Sequence, residues 1–206
     1  MFANQNSVHG KATVQAICLT NYEKFVVSGD KEGFIVYSNI KLAQKNKFQA
    51  HGSTCIRDLS LSNSSLKLLS CADDGTAKVF DFATSKEELC FSDHRSDVKS
   101  CDWHPWESLV LTGSKDSYVK IWDPRASGKG VHTLTAHNNI VTQVRWNPVN
   151  GNWFLTASRD SKIKIFDLRK TDKEFNCFEG HQDSVSVVAW HPFKEELFAS
   201  ASGSST

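Results

Sequence analysis

The chain has 206 residues, 39% apolar and 11% aromatic, enough to bury a sizeable core and, by length alone, to make one or two domains. Its 24 Lys and Arg nearly cancel its 23 Asp and Glu, and a net charge of +1 excludes a global basic field that would draw in phosphates. Six cysteines (Cys18, Cys55, Cys71, Cys90, Cys101 and Cys177) include no C-x-x-C pair, which speaks against a metal site and reads as buried free thiols in a reducing compartment.

The first twenty residues contain neither a basic start nor an uninterrupted apolar run, so no signal peptide or spanning helix is expected there. The expectation is a soluble intracellular protein with no membrane association and no cofactor.

Along the chain, His9, His51, His94, His137 and His181 fall 42, 43, 43 and 44 residues apart. Two further registers keep the same period. Trp103-His104-Pro105, Trp146-Asn147-Pro148 and Trp190-His191-Pro192 recur once per unit, and Tyr37-Ser38, Phe80-Asp81, Trp122-Asp123 and Phe166-Asp167 close successive units. A period in the low forties is the length of one four-stranded propeller blade.

The second unit shows the pattern within a blade. Strands are expected over 56–61, 66–71, 76–82 and 88–91, separated by the turns Asn63-Ser64-Ser65, Asp73-Asp74-Gly75 and Ala83-Thr84-Ser85. In the third unit, Tyr118 to Trp122 is apolar on both sides, so both faces of that sheet need cover, as in a stack of blades. No stretch has a sustained helical period.

The expected fold is therefore all-β: a propeller of about four and a half four-stranded blades, near 13–49, 54–92, 97–135 and 140–179, with an incomplete fifth over 184–206. In that fifth unit, strands are expected over 185–190 and 197–201. A ring of seven would need about 300 residues, so the chain reads as a fragment of a longer product or as one whose open edges a partner covers.

His94, Thr112, Asp116 and Trp122 include the hydroxyl, imidazole and carboxylate of a nucleophilic relay. The set returns as His51, Ser70, Asp74 and Phe80, and again as His137, Thr156, Asp160 and Phe166. A catalytic triad has no reason to recur in every blade. The reading that fits is a structural hydrogen-bond chain from turn Asp to His to hydroxyl to Trp indole, complete only in the third unit, with Lys31 standing where the first unit should have its Asp. His104 and His191 are expected as strand-end turn residues rather than metal ligands, because they sit two blades apart.

Lys41, Lys45 and Lys47, and Arg169, Lys170 and Lys173, fall on links between third and fourth strands, with Arg125 in the corresponding link of the third unit. They read as solvated loops that form a mildly basic rim with weak, salt-dependent phosphate affinity. Phosphate-binding glycine loops, H-E-x-x-H and nucleophile elbows are absent, so no enzyme is expected.

The third unit, with its full His, Thr, Asp and Trp set, resembles the WD-repeat β-propeller family. The phrases Asp97 to Pro105, Gly113 to Ser117, Gly151 to Asp160 and Ala189 to Pro192, extended back through Phe48 to His51, Ile56 to Asp58 and Cys71 to Phe82, are similar to the WD-repeat subunits of the cleavage and polyadenylation specificity factor. That resemblance implies a nuclear, non-catalytic scaffold for pre-mRNA 3′-end processing. It would dock a zinc-finger subunit and a large propeller subunit and help read the AAUAAA polyadenylation signal, through a basic segment that this chain lacks and through aromatic residues that stack on bases. Phe2, seven residues before His9, matches such an aromatic residue, and RNA binding by this chain alone is expected to be weak. The competing readings are a generic WD-repeat adaptor, such as a ubiquitin-ligase substrate receptor or chromatin adaptor, and more distantly a hydrolase built on one His/Asp/Thr set.

Overall fold

A computed structural model describes residues 9–20, 25–39, 44–126 and 130–203. The strands run in chain order as four antiparallel meanders and one hairpin. The first sheet is β1 (Val14–Leu19), β2 (Phe25–Asp30), β3 (Phe34–Asn39) and β4 (Gln44–Gln49); the second is β5 (Ile56–Leu61), β6 (Lys67–Ala72), β7 (Ala77–Asp81) and β8 (Glu87–Phe91). The third holds β9 (Val98–Trp103), β10 (Val110–Ser114), β11 (Tyr118–Trp122) and β12 (Gly130–Thr135), and the fourth holds β13 (Val141–Trp146), β14 (Trp153–Ser158), β15 (Ile163–Asp167) and β16 (Asn176–Phe178). The fifth pairs β17 (Val185–Trp190) with β18 (Phe198–Ser202). No helix occurs among the described residues, and the array is an open, incomplete propeller.

Several strands begin one residue later than their apolar runs suggest. Leu66 is one such case: it follows Ser65, which turns the chain at a φ of 54°, and its carbonyl accepts the Phe82 N–H while its side chain stays in solvent.

The apolar cores lie between sheets. Val27 and Ile35 of the first pack against Ile56, Leu59 and Leu68 of the second, and Leu69, Cys71 and Val79 pack against Val98, Cys101 and Trp122. Leu111, Val119 and Ile121 meet Val141, Val144 and Phe154, while Leu155, Ile163 and Ile165 meet Val185 and Val188. Each blade thus needs a neighbour to bury its face. Close approach requires a small residue on the second strand: a Cβ on Gly113 would lie 2.6 Å from the Val141 side chain, and one on Gly29 the same distance from Ile56.

Side chains also stitch the innermost strands, which lie side by side but share no ladder. Asp58 and Ser60 on β5 accept the N–H groups of Cys101 and Trp103 on β9. Ser100 and Asp102 on β9 accept those of Val144 and Trp146 on β13, and Gln143 on β13 accepts that of Val188 on β17. Backbone donors that would otherwise be orphaned in the seams are satisfied in this way.

Candidate functional site

The strand order brings each repeated histidine against the second strand and turn of its own blade. In the third blade, His94 Nδ1 lies 2.9 Å from Asp116 Oδ2 and its Nε2 lies 2.8 Å from Thr112 Oγ1. The Trp122 indole N–H donates to the same hydroxyl at 2.8 Å. An ionised carboxylate can only accept, so Nδ1 carries the proton and donates to Asp116; Nε2 is left to accept the Thr112 hydroxyl proton. Asp116 also accepts the N–H groups of Arg95 and Tyr118. Burial opposes ionisation of this carboxyl, but the His94 hydrogen bond and the two backbone donors outweigh it and hold the pKa down at about 2.

The second and fourth blades repeat the frame. His51 reaches Asp74 at 2.9 Å and Ser70 at 2.7 Å, and His137 reaches both Asp160 and Thr156 at 2.9 Å. Phe80 and Phe166 bring no N–H, so the chain ends at the hydroxyl in these blades. Burial pushes the His137 pKa down, against the pull of Asp160. In the fifth hairpin, His181 reaches the Ser200 hydroxyl at 2.8 Å.

The first blade corrects the sequence expectation. Lys31 is exposed and takes no part; Asp30 is the partner, with His9 Nδ1 at 2.7 Å from Asp30 Oδ2 and Nε2 at 2.7 Å from Ser28 Oγ. Asp30 opens the four-residue turn closed by Gly33, whereas Asp74 is third in the turn closed by Gly75. Asp30 therefore reaches the ring from two residues beyond its Ser rather than four.

As chemistry, these sets lack an open face. Ser70, Thr112 and Thr156 have no exposed surface, and the histidines that touch them are buried. A nucleophile must reach a substrate atom, and these hydroxyls are sealed between strands. Among the described residues, no group of three or more His, Cys, Asp or Glu is gathered so that it could hold a metal. No helix among them is long and apolar enough to cross a membrane.

The His-Pro and Asn-Pro steps do more than end their strands. His104 and Asn147 are buried, and each joins its own loop to the next blade. The Trp106 and Glu107 N–H groups donate to His104 Nδ1, while His104 Nε2 donates to the Gly151 carbonyl at 2.9 Å. The Val149 and Asn150 N–H groups donate to Asn147 Oδ1, and its amide donates to the Glu195 carbonyl at 2.8 Å.

Arg145 on β13 reaches back across two seams, with Nη1 2.8 Å from Asp58 Oδ2 and 3.0 Å from Ser100 Oγ. Burial raises the neighbouring Asp102 carboxyl to about 6, against the pull of the Arg145 guanidinium.

The basic rim is weaker than its sequence suggests. Arg125 is paired with Asp123 and Arg169 with Asp167. Lys45 and Lys47 lie on β4 rather than in a loop, and the Lys47 ammonium sits 4.3 Å above the Phe34 ring. Phe2 and Lys41 fall outside the described residues. The six cysteines are free, but only Cys71 and Cys101 are buried and Cys90 is exposed, which corrects the expectation of uniformly buried thiols.

The model of the WD domain, G-beta repeat, matches residues 42–81, 85–123, 128–167 and 172–206. Over 80 residues the chain is 48% identical to polyadenylation factor subunit 2 of Neurospora crassa, a stretch that covers 39% of this chain and 12% of that protein. Over 74 residues it is 45% identical to the protein of the same name in Gibberella zeae, covering 36% and 12%. Over 84 residues it is 36% identical to the human peroxisomal targeting signal 2 receptor, covering 39% and 26%. The matched stretches thus span an eighth to a quarter of these relatives' lengths.

Proposed function

Since this chain belongs to the WD-repeat family, we propose that it is a non-catalytic docking scaffold of the nuclear machinery that cleaves and polyadenylates pre-mRNA. The observation that carries this reading is the 48% identity to a polyadenylation factor subunit. Its partners are the other subunits of that machinery, including a zinc-finger subunit and a large propeller subunit. Its own contribution to reading AAUAAA is weak, because its charge is close to balanced and Arg125 and Arg169 are already paired.

In the same reading, the His, Ser or Thr and Asp sets are ties that hold each blade's second strand to its entry loop, and the sealed hydroxyls support that role. A second reading, a general adaptor in another assembly, draws on the similarity to the peroxisomal receptor. Affinity purification of the tagged chain from nuclear extract separates the two. Stoichiometric recovery of polyadenylation subunits is expected; recovery of a cullin assembly in their place would overturn the first reading.

A further inference from the structure

Between β13 and β14 the chain turns through Asn150-Gly151-Asn152, which holds the one Asn-Gly step in the sequence. The Trp153 N–H donates to the Asn150 carbonyl at 3.0 Å, and the Asn152 N–H donates to Asn150 Oδ1 at 3.2 Å, which folds the side-chain amide back over Gly151. The Gly151 carbonyl accepts His104 Nε2 of the third blade. Glycine is required by that packing: a Cβ would lie 2.7 Å from the Trp106 ring and 2.8 Å from the His104 ring. The tie between blades therefore fixes, directly after an Asn, the residue that shields its side chain least.

The pair is open to reaction with itself. The Gly151 N–H and Asn150 Nδ2 have no hydrogen-bond partner among the described residues, so both the nucleophile and the leaving group are unspent. The N–H on Oδ1 polarises the side-chain carbonyl towards attack, and Asn150 is half-exposed, so water reaches it. Asp74-Gly75, the one Asp-Gly step, is built the opposite way. Its Gly75 N–H donates to the Ala72 carbonyl at 3.3 Å. Burial opposes ionisation of Asp74, but hydrogen bonds from His51 and Thr76 outweigh it and hold its pKa below the ordinary carboxylate value. An ionised carboxylate repels a nucleophile and offers no neutral leaving group.

We propose that Asn150-Gly151 is a self-modification site at which Asn150 is converted to isoaspartate. The Gly151 nitrogen forms a bond to Asn150 Cγ and gives its proton to solvent; the Cγ–Nδ2 bond breaks, and the NH2 group takes up a proton and leaves as ammonia. The product is a cyclic imide, which water opens at either carbonyl to give aspartate, or isoaspartate with its main chain running through Cγ. Isoaspartate adds a methylene to the chain between residues 150 and 151, and it turns the carbonyl that accepted the Trp153 N–H into a free carboxylate. Both changes pull the Gly151 carbonyl away from His104, so the reaction loosens the tie between the third and fourth blades. Nothing in this chemistry depends on the assembly that the chain serves.

The test is incubation of the folded full chain in warm, mildly alkaline buffer, followed by peptide mapping with mass detection and by carboxyl methylation with a protein isoaspartyl methyltransferase as reagent. A mass gain of about 1 Da and a methyl-accepting carboxylate are expected at residue 150. Conversion there should run at least about tenfold ahead of Asn63, Asn139 and Asn152, a barrier lower by about 1.4 kcal/mol, and Asp74 should yield no methyl acceptor. Asn150→Gln should abolish the signal. The aged chain should unfold at lower urea than the fresh one, whereas fresh Asn150→Asp, which keeps Oδ1 and the ordinary main chain, should match fresh wild type. Four results would overturn the proposal: no conversion at residue 150 in the folded chain, equal rates at the other asparagines, an equal yield of isoaspartate at Asp74, or an unfolding midpoint unchanged by conversion. None of these bears on recovery of polyadenylation subunits, so the two readings fail separately.

Discussion

The third and fourth blades are built on one frame and differ in a single donor. In the third, the Thr112 hydroxyl is held from both sides, by His94 and by the Trp122 indole, and Trp122 is fully buried and stacked on Phe91 at 4.9 Å. In the fourth, Thr156 has His137 on one side and only a 3.4 Å approach to the Lys164 carbonyl on the other, while Phe166 stacks on Phe154 at 5.5 Å. The difference teaches that the carboxylate, histidine and hydroxyl are the common element of the four-stranded blades, and that the aromatic position supplies burial in all four but an indole N–H to the hydroxyl only in the third.

The largest effect is expected where the two blades meet. Arg145 of the fourth neutralises Asp58 of the second and lies beside Asp102 of the third. Arg145→Ala would leave these carboxylates without their cation, at a cost of about 3 kcal/mol, measured by urea denaturation. Asp58→Asn in the same background should recover part of that loss.

Next comes the shared half. Asp116→Ala removes the acceptor of His94 Nδ1 and of two backbone N–H groups, and is expected to destabilise by about 1 to 3 kcal/mol, with Asp160→Ala falling in the same range. The Asp116 contribution has a defined pH window. Its folded pKa of about 2 lies below the value of about 3.9 for an unfolded Asp. The stabilisation is therefore fully present above about pH 4 and is lost as pH falls towards 2, because the unfolded chain takes up the proton first. The gap between wild type and Asp116→Ala should close over that window. Trp122→Phe, which turns the third blade into a copy of the fourth, is the mildest change, at about 1 kcal/mol for one hydrogen bond.

Much of this frame was legible from spacing. Asp74, Asp116 and Asp160 each follow their Ser or Thr by four residues and their His by 22 or 23, so one pattern found all three. Asp30 escaped it because it sits two residues after Ser28, on the end of a strand, and Lys31 occupied a more familiar place beside it.

The seam groups were hidden for a different reason. Asp58, Ser60, Ser100, Asp102 and Arg145 alternate with apolar residues along β5, β9 and β13, a pattern indistinguishable from strands with one wet face. The partners of Asp58, Ser60, Ser100 and Asp102 are backbone N–H groups about 43 residues away, which carry no residue signature, and Arg145 donates to Asp58 from 87 residues away. The same holds for His104 and Asn147, whose bonds to the Gly151 and Glu195 carbonyls join neighbouring blades. Their recurrence in equivalent registers was the available signal.

The most direct test of the ties as one connected chain is a double-mutant cycle on the third blade, combining Asp116→Ala with Trp122→Phe and read by equilibrium urea denaturation. Neither side chain is assigned a bond to the other; His94 links them, through the Thr112 hydroxyl and through its own edge-on contact with the Trp122 ring at 6.1 Å. A coupling energy of at least about 0.5 kcal/mol is predicted, and losses that add to within about 0.3 kcal/mol would contradict the account.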